Sequence, residues 1–537
     1  MFVSERPRLL RPILIALLLV GALAPSAYLA WTWRAMPHLG IYNDDAIYLA
    51  TAKSLAAGDG YRIGSFPGTP WQTKYPPLFP AALSLVWKIN PNFPSNLPLA
   101  MLICWLALPA FMFASWLYFR NIGFSREKAA ILCALLAVNP FVALYSLVAM
   151  SELPFATLLL LAVWLADRAG RTESPAWPAA VAGLAAAGAF LTKSAGLPLL
   201  VTAPACLLWR RQYRRAALFA ATMTPLVFAW EVWKALHKLP GHDPVSLYYT
   251  NYLGFYFANV DLQSLPRFVS TNFAVMAGSL SQLLLPAVGD SWIVSALGHI
   301  LVVFALMGIV RIVKRTGATQ FPAYSAVFLL MLLHWHYPPT NRFLLPLAPV
   351  FLAGLAEELP RLADAVRATW SKPGWARKPQ AAAAALMLVV LGAYWLQQAQ
   401  RGLFQLVPGA LSGQVEYARA QEPAYQWIRE NTLSSARFFA YNDGLLYFRT
   451  GRRACSVRLP PRYFYRSDSE GLVKFIGSLA TLFPRLGLDY AFVTPHDFQM
   501  GPMRAIKAGR RTLWEKCDVF RQRFQSAGAR VYSIQPR

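Results

Sequence analysis

Charge is scarce in this chain: only 14% of its 537 residues are charged, against roughly a quarter in a soluble domain. That deficit excludes an ordinary water-soluble globular enzyme. Acids are scarcer still, with 25 Asp and Glu against 51 Lys and Arg. Histidine and cysteine number 7 and 5, with no CxxC pair and no His-rich spacing, so no metal-ligand framework is apparent. Gly-rich nucleotide fingerprints and nucleic-acid modules are also missing. The net charge of +26 is therefore not read as a nucleic-acid footprint, and no nucleic-acid partner is expected.

What the chain has is apolar length. It is 56% hydrophobic, with a mean hydropathy of +0.37. Apolar runs near the ~18 residues needed to cross a bilayer recur along it. Lipid offers no partner to free backbone amides, so these runs must be helices. Candidate spans are 13–30, 97–119, 129–148, 153–166, 178–191, 197–209, 216–233, 293–313, 321–336, 343–359 and 381–396. Some are short, and those meeting near Leu191 and Leu197 could form a bent or re-entrant pair. Ala22-Leu23-Ala24 resembles a signal-peptidase site, but the run around it is span-length and reads as a retained helix.

Basic clusters sit between the runs: Arg6/Arg8/Arg11, Arg120/Arg126/Lys128, Arg210/Arg211/Arg214/Arg215, Arg311/Lys314/Arg315, and Arg361 to Lys378. Short loops rich in Lys and Arg face the cytoplasm. Starting inside, about eleven crossings place every cluster on that side. The expected fold is thus a polytopic all-α membrane bundle, residues 1–396, with outer loops 31–96 and 237–292. The tail, 397–537, would be a small extracytoplasmic α/β domain, with strands at 436–440 and 490–494 and a helix at 423–430. It carries 21 Lys and Arg against 10 Asp and Glu. Cys455 and Cys517 lie in it and could pair if it is outside the cytoplasm. The expected location is the inner or plasma membrane, with the tail periplasmic or outside.

Three acids then stand out. Asp44, Asp45 and Glu152 fall beside helix ends on the presumed outer face, where a carboxylate is costly unless paired, hydrated or used. Lys74, Lys193 and Arg342 fall on the same face. Acids and cations together suit a reaction that deprotonates an acceptor and stabilises a leaving phosphate. Each has a plainer reading: Asn43 and Asp44 make good helix N-caps, Glu152 suits a first helical turn, and Lys193 and Arg342 could reach lipid headgroups. Trp71, Trp87, Trp335 and Tyr337 read as interfacial belt residues. His334 and His336, two apart, do not share a helix face and make a poor metal pair.

Tyr42-Asn43-Asp44-Asp45-Ala46-Ile47-Tyr48, followed by Lys74-Tyr75-Pro76-Pro77, resembles the first outer loop of GT-C glycosyltransferases. More narrowly, it is similar to the protein mannosyltransferase and aminoarabinose transferase superfamily (glycosyltransferase family 39-like). Ser151-Glu152-Leu153-Pro154, Leu191-Thr192-Lys193-Ser194-Ala195-Gly196 and Asn341-Arg342-Phe343-Leu344-Leu345-Pro346 follow in the family's order. The tail is similar only loosely, through Tyr425 to Glu430 and Leu446 to Arg452. The resemblance implies transfer of a sugar from a polyprenyl-phosphate carrier to an acceptor hydroxyl on a protein, lipid or glycan, with inversion. It implies Asp44 as the catalytic carboxylate, with Asp45 and Glu152 as companion acids. Lys74, Tyr75, Lys193, Arg342, Tyr48 and Arg62 would bind substrate and phosphate. One departure matters: aminoarabinose transferases place an acid just before Pro-Pro, and here Lys74-Tyr75 stands there. A divalent metal stays open as a cofactor, without that ligand. Two other readings stay open, a transporter of lipid-linked sugars and a non-catalytic scaffold of the same fold. A transporter predicts paired inverted repeats, and the sequence has none apparent.

Overall fold

The apolar runs fold as helices, as a backbone deprived of water must. The computed structural model describes residues 6–171, 175–239, 241, 243–287, 291–371, 377–498, 502–515 and 517–535. Part of the basic stretch from Arg361 to Lys378 therefore lies outside the described residues. Among the described residues, six helices are long and apolar enough to cross a membrane: Leu10–Thr32, Leu97–Asn121, Tyr213–His237, Trp292–Thr316, Asn341–Ala368 and Ala382–Asn431. Leu78–Ile89, Trp177–Thr192, Ser194–Trp209 and Gln320–Leu333 are shorter apolar helices. The chain is a membrane protein.

Two runs read as single spans are broken, each for a visible reason. The run 129–148 divides into Arg126–Ala137 and Pro140–Tyr145. Asn139 stops the first helix and caps the second, its Oδ1 accepting from the N–H groups of Phe141 at 3.0 Å and Val142 at 3.4 Å. The run 321–336 ends as a helix at Leu333. There the Asn272 amide donates to the carbonyls of Leu332, Leu333 and Trp335 at 3.2, 3.1 and 2.7 Å, satisfying the groups a helix end leaves bare. The residues beyond Leu333 are freed to line a cavity instead.

The basic loops converge at one end of the bundle. Arg171 Nη2 donates to Asn121 Oδ1 at 2.7 Å, Arg215 to the Ala169 carbonyl at 2.8 Å, and Arg210 to Thr319 Oγ1 at 3.0 Å. Arg315 donates to the Ile122 carbonyl at 3.1 Å, and Lys128 to that of Ala356 at 2.8 Å. Helix Glu152–Ala169 spans the bundle from this end to the other, with Glu152 farthest from the basic loops.

At the opposite end lie two helices of the first long loop, Asp44–Ala57 and Leu78–Ile89, and three of the second, Pro244–Thr250, Tyr252–Asn259 and Leu265–Leu284. The helical rod Arg377–Arg401 runs on through a π-helical turn, Gly402–Leu406, into Val407–Ala420, with no break at Leu396. Beyond it five strands, β1 (Arg437–Ala440), β2 (Arg453–Cys455), β3 (Tyr490–Val493), β4 (Phe520–Gln525) and β5 (Arg530–Ile534), form one sheet in the order β2-β1-β3-β5-β4. β1 is parallel to β2 and β3, while β5 runs antiparallel to β3 and β4. Alternation along β1 sends Phe438 to one face, against Tyr425 and Val531, and Phe439 to the other, against Phe483 and Trp514. Cys455 is buried in the second of these cores, and it and Cys517 are both free thiols.

The sheet domain is locked onto the first loop. The Ala454 amide donates to the Ser65 carbonyl at 2.9 Å, and Asn442 Nδ2 to that of Gly40 at 2.7 Å. A Cβ on Gly444 would lie 2.7 Å from that of Ala46, so only glycine lets the domain sit this close to helix Asp44–Ala57. Trp87, read as interfacial, is buried here and stacks on Phe448 of the tail.

Candidate active site

Helix Asp44–Ala57 begins after Asn43, whose φ of 60° and ψ of −44° form a γ-turn closed by the Asp44 N–H on the Tyr42 carbonyl at 2.7 Å. Asn43 makes no side-chain cap, and the Asp44 carboxylate is not spent on one either. Its Oδ1 accepts from the Tyr75 hydroxyl at 2.5 Å, and its Oδ2 from Arg342 Nη2 at 2.6 Å. Arg342 Nε also donates to Glu152 Oε1, and Lys193 Nζ reaches the same oxygen at 2.8 Å. Four residues distant in sequence thus form one chain of charge: Asp44, Arg342, Glu152, Lys193.

Local structure explains each placement. Glu152 opens its helix at the end away from the basic loops. Lys193 sits in extended backbone between helix Trp177–Thr192 and the turn Ser194–Gly196. A Cβ at Gly196 would lie 2.7 Å from the Phe190 nitrogen, so this tight reversal requires glycine. Arg342 lies in the single turn Asn341–Leu344 that precedes Pro346 and the long helix. Tyr48, one turn beyond Asp44, hydrogen bonds Ser151 Oγ at 3.2 Å and packs its ring on Tyr75.

These groups border a cavity of about 810 Å³, lined by Asp44, Tyr48, Lys74, Tyr75, Lys193 and Arg342 together with further aromatic rings. Lys74 Nζ lies 3.4 Å from the Tyr248 ring centroid and makes no ion pair within 4.0 Å among the described residues. Burial alone would raise the Asp44 carboxyl, but Arg342 and Lys74 outweigh it and hold the group well below the usual carboxylate range. Asp44 is therefore ionised at any physiological pH. Its two oxygens keep unused lone pairs for a further donor.

Not every residue singled out by sequence reaches the cavity. Asp45, adjacent to Asp44, points the other way: its Oδ2 accepts from the Gly40 amide at 2.8 Å, and it is fully buried. Burial pushes its carboxyl up to about 6. Glu152 sits behind the wall, meeting the cavity only through Arg342 and Lys193, so it positions those two cations. Arg62 braces its own loop, donating to the carbonyls of Asp59 and Thr69 and stacking on Trp71. Trp335 and Tyr337, read as belt residues, line the cavity instead.

Sequence reasoning assigned no site role to several polar liners, among them Glu231, Lys234, Lys238, His336 and Arg458. Arg458 was one of many basic residues in a tail without a motif. His336 was weighed only as half of a metal pair.

The donor set does not fit a divalent cation. Asp44 already accepts from Tyr75 and Arg342, and Glu152 Oε1 serves two cations. Around two carboxylates stand Arg342, Lys193 and Lys74, which leaves no net negative charge to hold a metal. No group of three or more His, Cys, Asp or Glu side chains suited to a metal occurs among the described residues.

No family model and no curated protein matches the sequence. Solved structures do. The chain is similar to ArnT from Cupriavidus metallidurans bound to undecaprenyl phosphate, at 11% identity and a TM-score of 0.50, covering 94% of this chain and 97% of that one. It is similar to the oligosaccharyltransferase of Archaeoglobus fulgidus in complex with Zn and sulfate, at 15% identity and a TM-score of 0.55, covering 96% and 73%. The archaeal oligosaccharyltransferase AglB from Archaeoglobus fulgidus, in complex with an inhibitory peptide and a dolichol-phosphate, aligns at 14% identity and a TM-score of 0.54, covering 90% and 70%. These neighbours are GT-C glycosyltransferases, and the chain has the GT-C fold.

Proposed function

We propose that this protein is a membrane glycosyltransferase that moves a sugar from a polyprenyl-phosphate carrier to an acceptor hydroxyl on a protein, lipid or glycan. The observation that carries the reading is the Asp44 carboxylate, held by Tyr75 and Arg342 at the edge of a cavity whose other polar wall is cationic. The fold supports it, since ArnT and AglB share this architecture and their structures hold undecaprenyl phosphate and dolichol-phosphate.

In the proposed reaction the acceptor hydroxyl donates a hydrogen bond to Asp44. Its oxygen attacks the anomeric carbon and its proton passes to the carboxylate. The bond from that carbon to the carrier phosphate breaks, and the phosphate oxygen leaves with the electron pair. One displacement with one base inverts the anomeric centre. Lys74 offsets charge growing on the phosphate. Arg342, buttressed by Glu152 and Lys193, fixes the Asp44 carboxylate in place. Tyr75 and Tyr48 wall the reacting centre, and aromatic rings offer the sugar and prenyl chain an apolar surface.

In this reading about eleven crossings set the basic loops in the cytoplasm. The site and the sheet domain then face outward from an inner or plasma membrane. Purified protein in liposomes, given a polyprenyl phosphate carrying a radiolabelled sugar and a membrane extract as acceptor, should release unlabelled carrier and form a new labelled glycoside. Movement of the intact labelled lipid between leaflets with no glycoside formed would replace this reading with that of a transporter.

A further inference from the structure

The cations around the cavity fall into two sets. Arg342 and Lys193 are neutralised by Asp44 and Glu152, and Lys234 by Glu231. Lys74, Arg458 and the exposed Lys238 have no carboxylate within 4.0 Å among the described residues. The acids of the sheet domain near Arg458 are committed elsewhere: Asp443 Oδ2 accepts from the Tyr249 hydroxyl at 2.8 Å, and Asp497 accepts from the Thr494 amide and hydroxyl at 2.9 and 2.6 Å.

Arg458 follows β2 and enters the cavity over Tyr441, its guanidinium carbon 4.5 Å from that ring centroid and 5.8 Å from that of Tyr248. Its Nε is buried without a hydrogen-bond partner among the described residues. Lys74 Nζ faces the same Tyr248 ring at 3.4 Å and Tyr252 at 4.8 Å. His336 packs on Tyr252 with ring centroids 4.9 Å apart; it is fully buried, and neither ring nitrogen has a partner among the described residues. Either tautomer of that ring carries one N–H to give. Three donors without protein partners therefore gather around one pair of tyrosine rings, one from each of three segments: the first loop, the loop after Leu333 and the sheet domain.

A buried donor left unpaired is costly, and a buried unpaired guanidinium more so. A fold keeps such groups where a ligand completes them. Two cations and a neutral-ring donor, with no acid among them, select an anion rich in acceptor oxygens. Guanidinium offers planar paired donors that match phosphate.

We propose that Lys74, His336 and Arg458 form a binding site for a phosphate-class anion, and that Arg458 makes the sheet domain a working part of the substrate site. The inference rests on the transferase reading above, in which that phosphate belongs to the carrier lipid or to the acceptor. It assigns Arg342 and Lys193 a different task, holding Asp44.

The experiment measures binding of undecaprenyl phosphate, its uncharged alcohol undecaprenol, and inorganic pyrophosphate to the full chain in nanodiscs. Arg458→Gln should weaken undecaprenyl phosphate at least about tenfold and leave undecaprenol unchanged, with Arg458→Lys recovering part of the loss. A loss confined to pyrophosphate also supports the site and assigns its anion to the acceptor. If Arg458→Gln fails to fold, Lys74→Gln and His336→Gln carry the same comparison. Wild-type affinity of all the folded variants for both anions would overturn the site, as would a wild-type protein that binds neither. Failure of the transferase reading looks different: Arg458-dependent phosphate binding would persist with no sugar transferred.

Discussion

Arginine meets glutamate at both ends of the bundle, on opposite terms. At the basic end Arg311 and Arg315, 45% and 43% exposed, reach the buried carboxylates of Glu358 and Glu357 at 2.7 and 3.0 Å, and Arg361 pairs with both acids as well. At the other end Arg342 and Lys193, 17% and 14% exposed, share one oxygen of a Glu152 that is fully buried. With the arginine half in water and Arg361 left beside each acid, losing one such pair costs about 1 kcal/mol. Breaking a buried pair by removing one partner costs about 3–5 kcal/mol, although building it gives little net stability. In the proposed topology, charge at the basic end orients the chain in the membrane. Charge at the buried end is expensive to maintain, and in the proposed reaction it holds the base in place.

The comparison breaks most visibly at Arg342. Arg342→Met leaves Asp44 without its cation and Glu152 with Lys193 alone. It should destabilise the fold by about 3–5 kcal/mol and lower sugar transfer by roughly a thousandfold, read by thermal melting and single-turnover assay. An unchanged melt would mean that the buried charges are better hydrated than the structure indicates.

Asp45→Asn sharpens the contrast between adjacent acids, with transfer staying within about threefold of wild type because Asp45 faces Gly40 and not the cavity. The pH dependence of melting adds a sign. The Asp45 carboxyl, ordinarily at 3.8, is raised by burial to about 6 in the fold. The folded state then holds the proton more tightly, so wild type loses stability as pH rises across that window. The Asn variant lacks this loss, and its advantage over wild type should grow from pH 4 to pH 6 and then level off. A gap of the opposite sign would place Asp45 in a stabilising ion pair.

Arg311→Ala at the basic end should shift stability by no more than about 1 kcal/mol and leave transfer unchanged. A chelator should have the smallest effect of all: transfer rates before and after EDTA should coincide, because cations already occupy the carboxylates. Loss of activity restored by a divalent ion would reverse that assignment.

Much of this was readable from the residues. Apolar length located the helices, and hydropathy alternation found β1 and β3 almost to the residue. Asp44, Lys193 and Arg342 were found because scarce charges beside apolar runs are conspicuous. Three features were not legible, for physical reasons. The breaks at Asn139 and Leu333 depend on side chains capping helix ends, one of them Asn272 from another helix, and run length cannot report that. The divergence of Asp44 and Asp45 depends on helix phase at a capless start, where adjacent residues point roughly 100° apart. Arg458 joins the cavity only because Gly444 lets the sheet domain close onto helix Asp44–Ala57, a tertiary contact with no local signature.

The Asp44 carboxylate carries the proposed proton transfer, and one substitution isolates it. Asp44→Asn keeps the shape and the Tyr75 and Arg342 neighbours while removing the base, so the folded variant should transfer labelled sugar from a polyprenyl-phosphate donor at least about a thousandfold more slowly than wild type. Turnover at the wild-type rate by that variant would show that Asp44 is not the base.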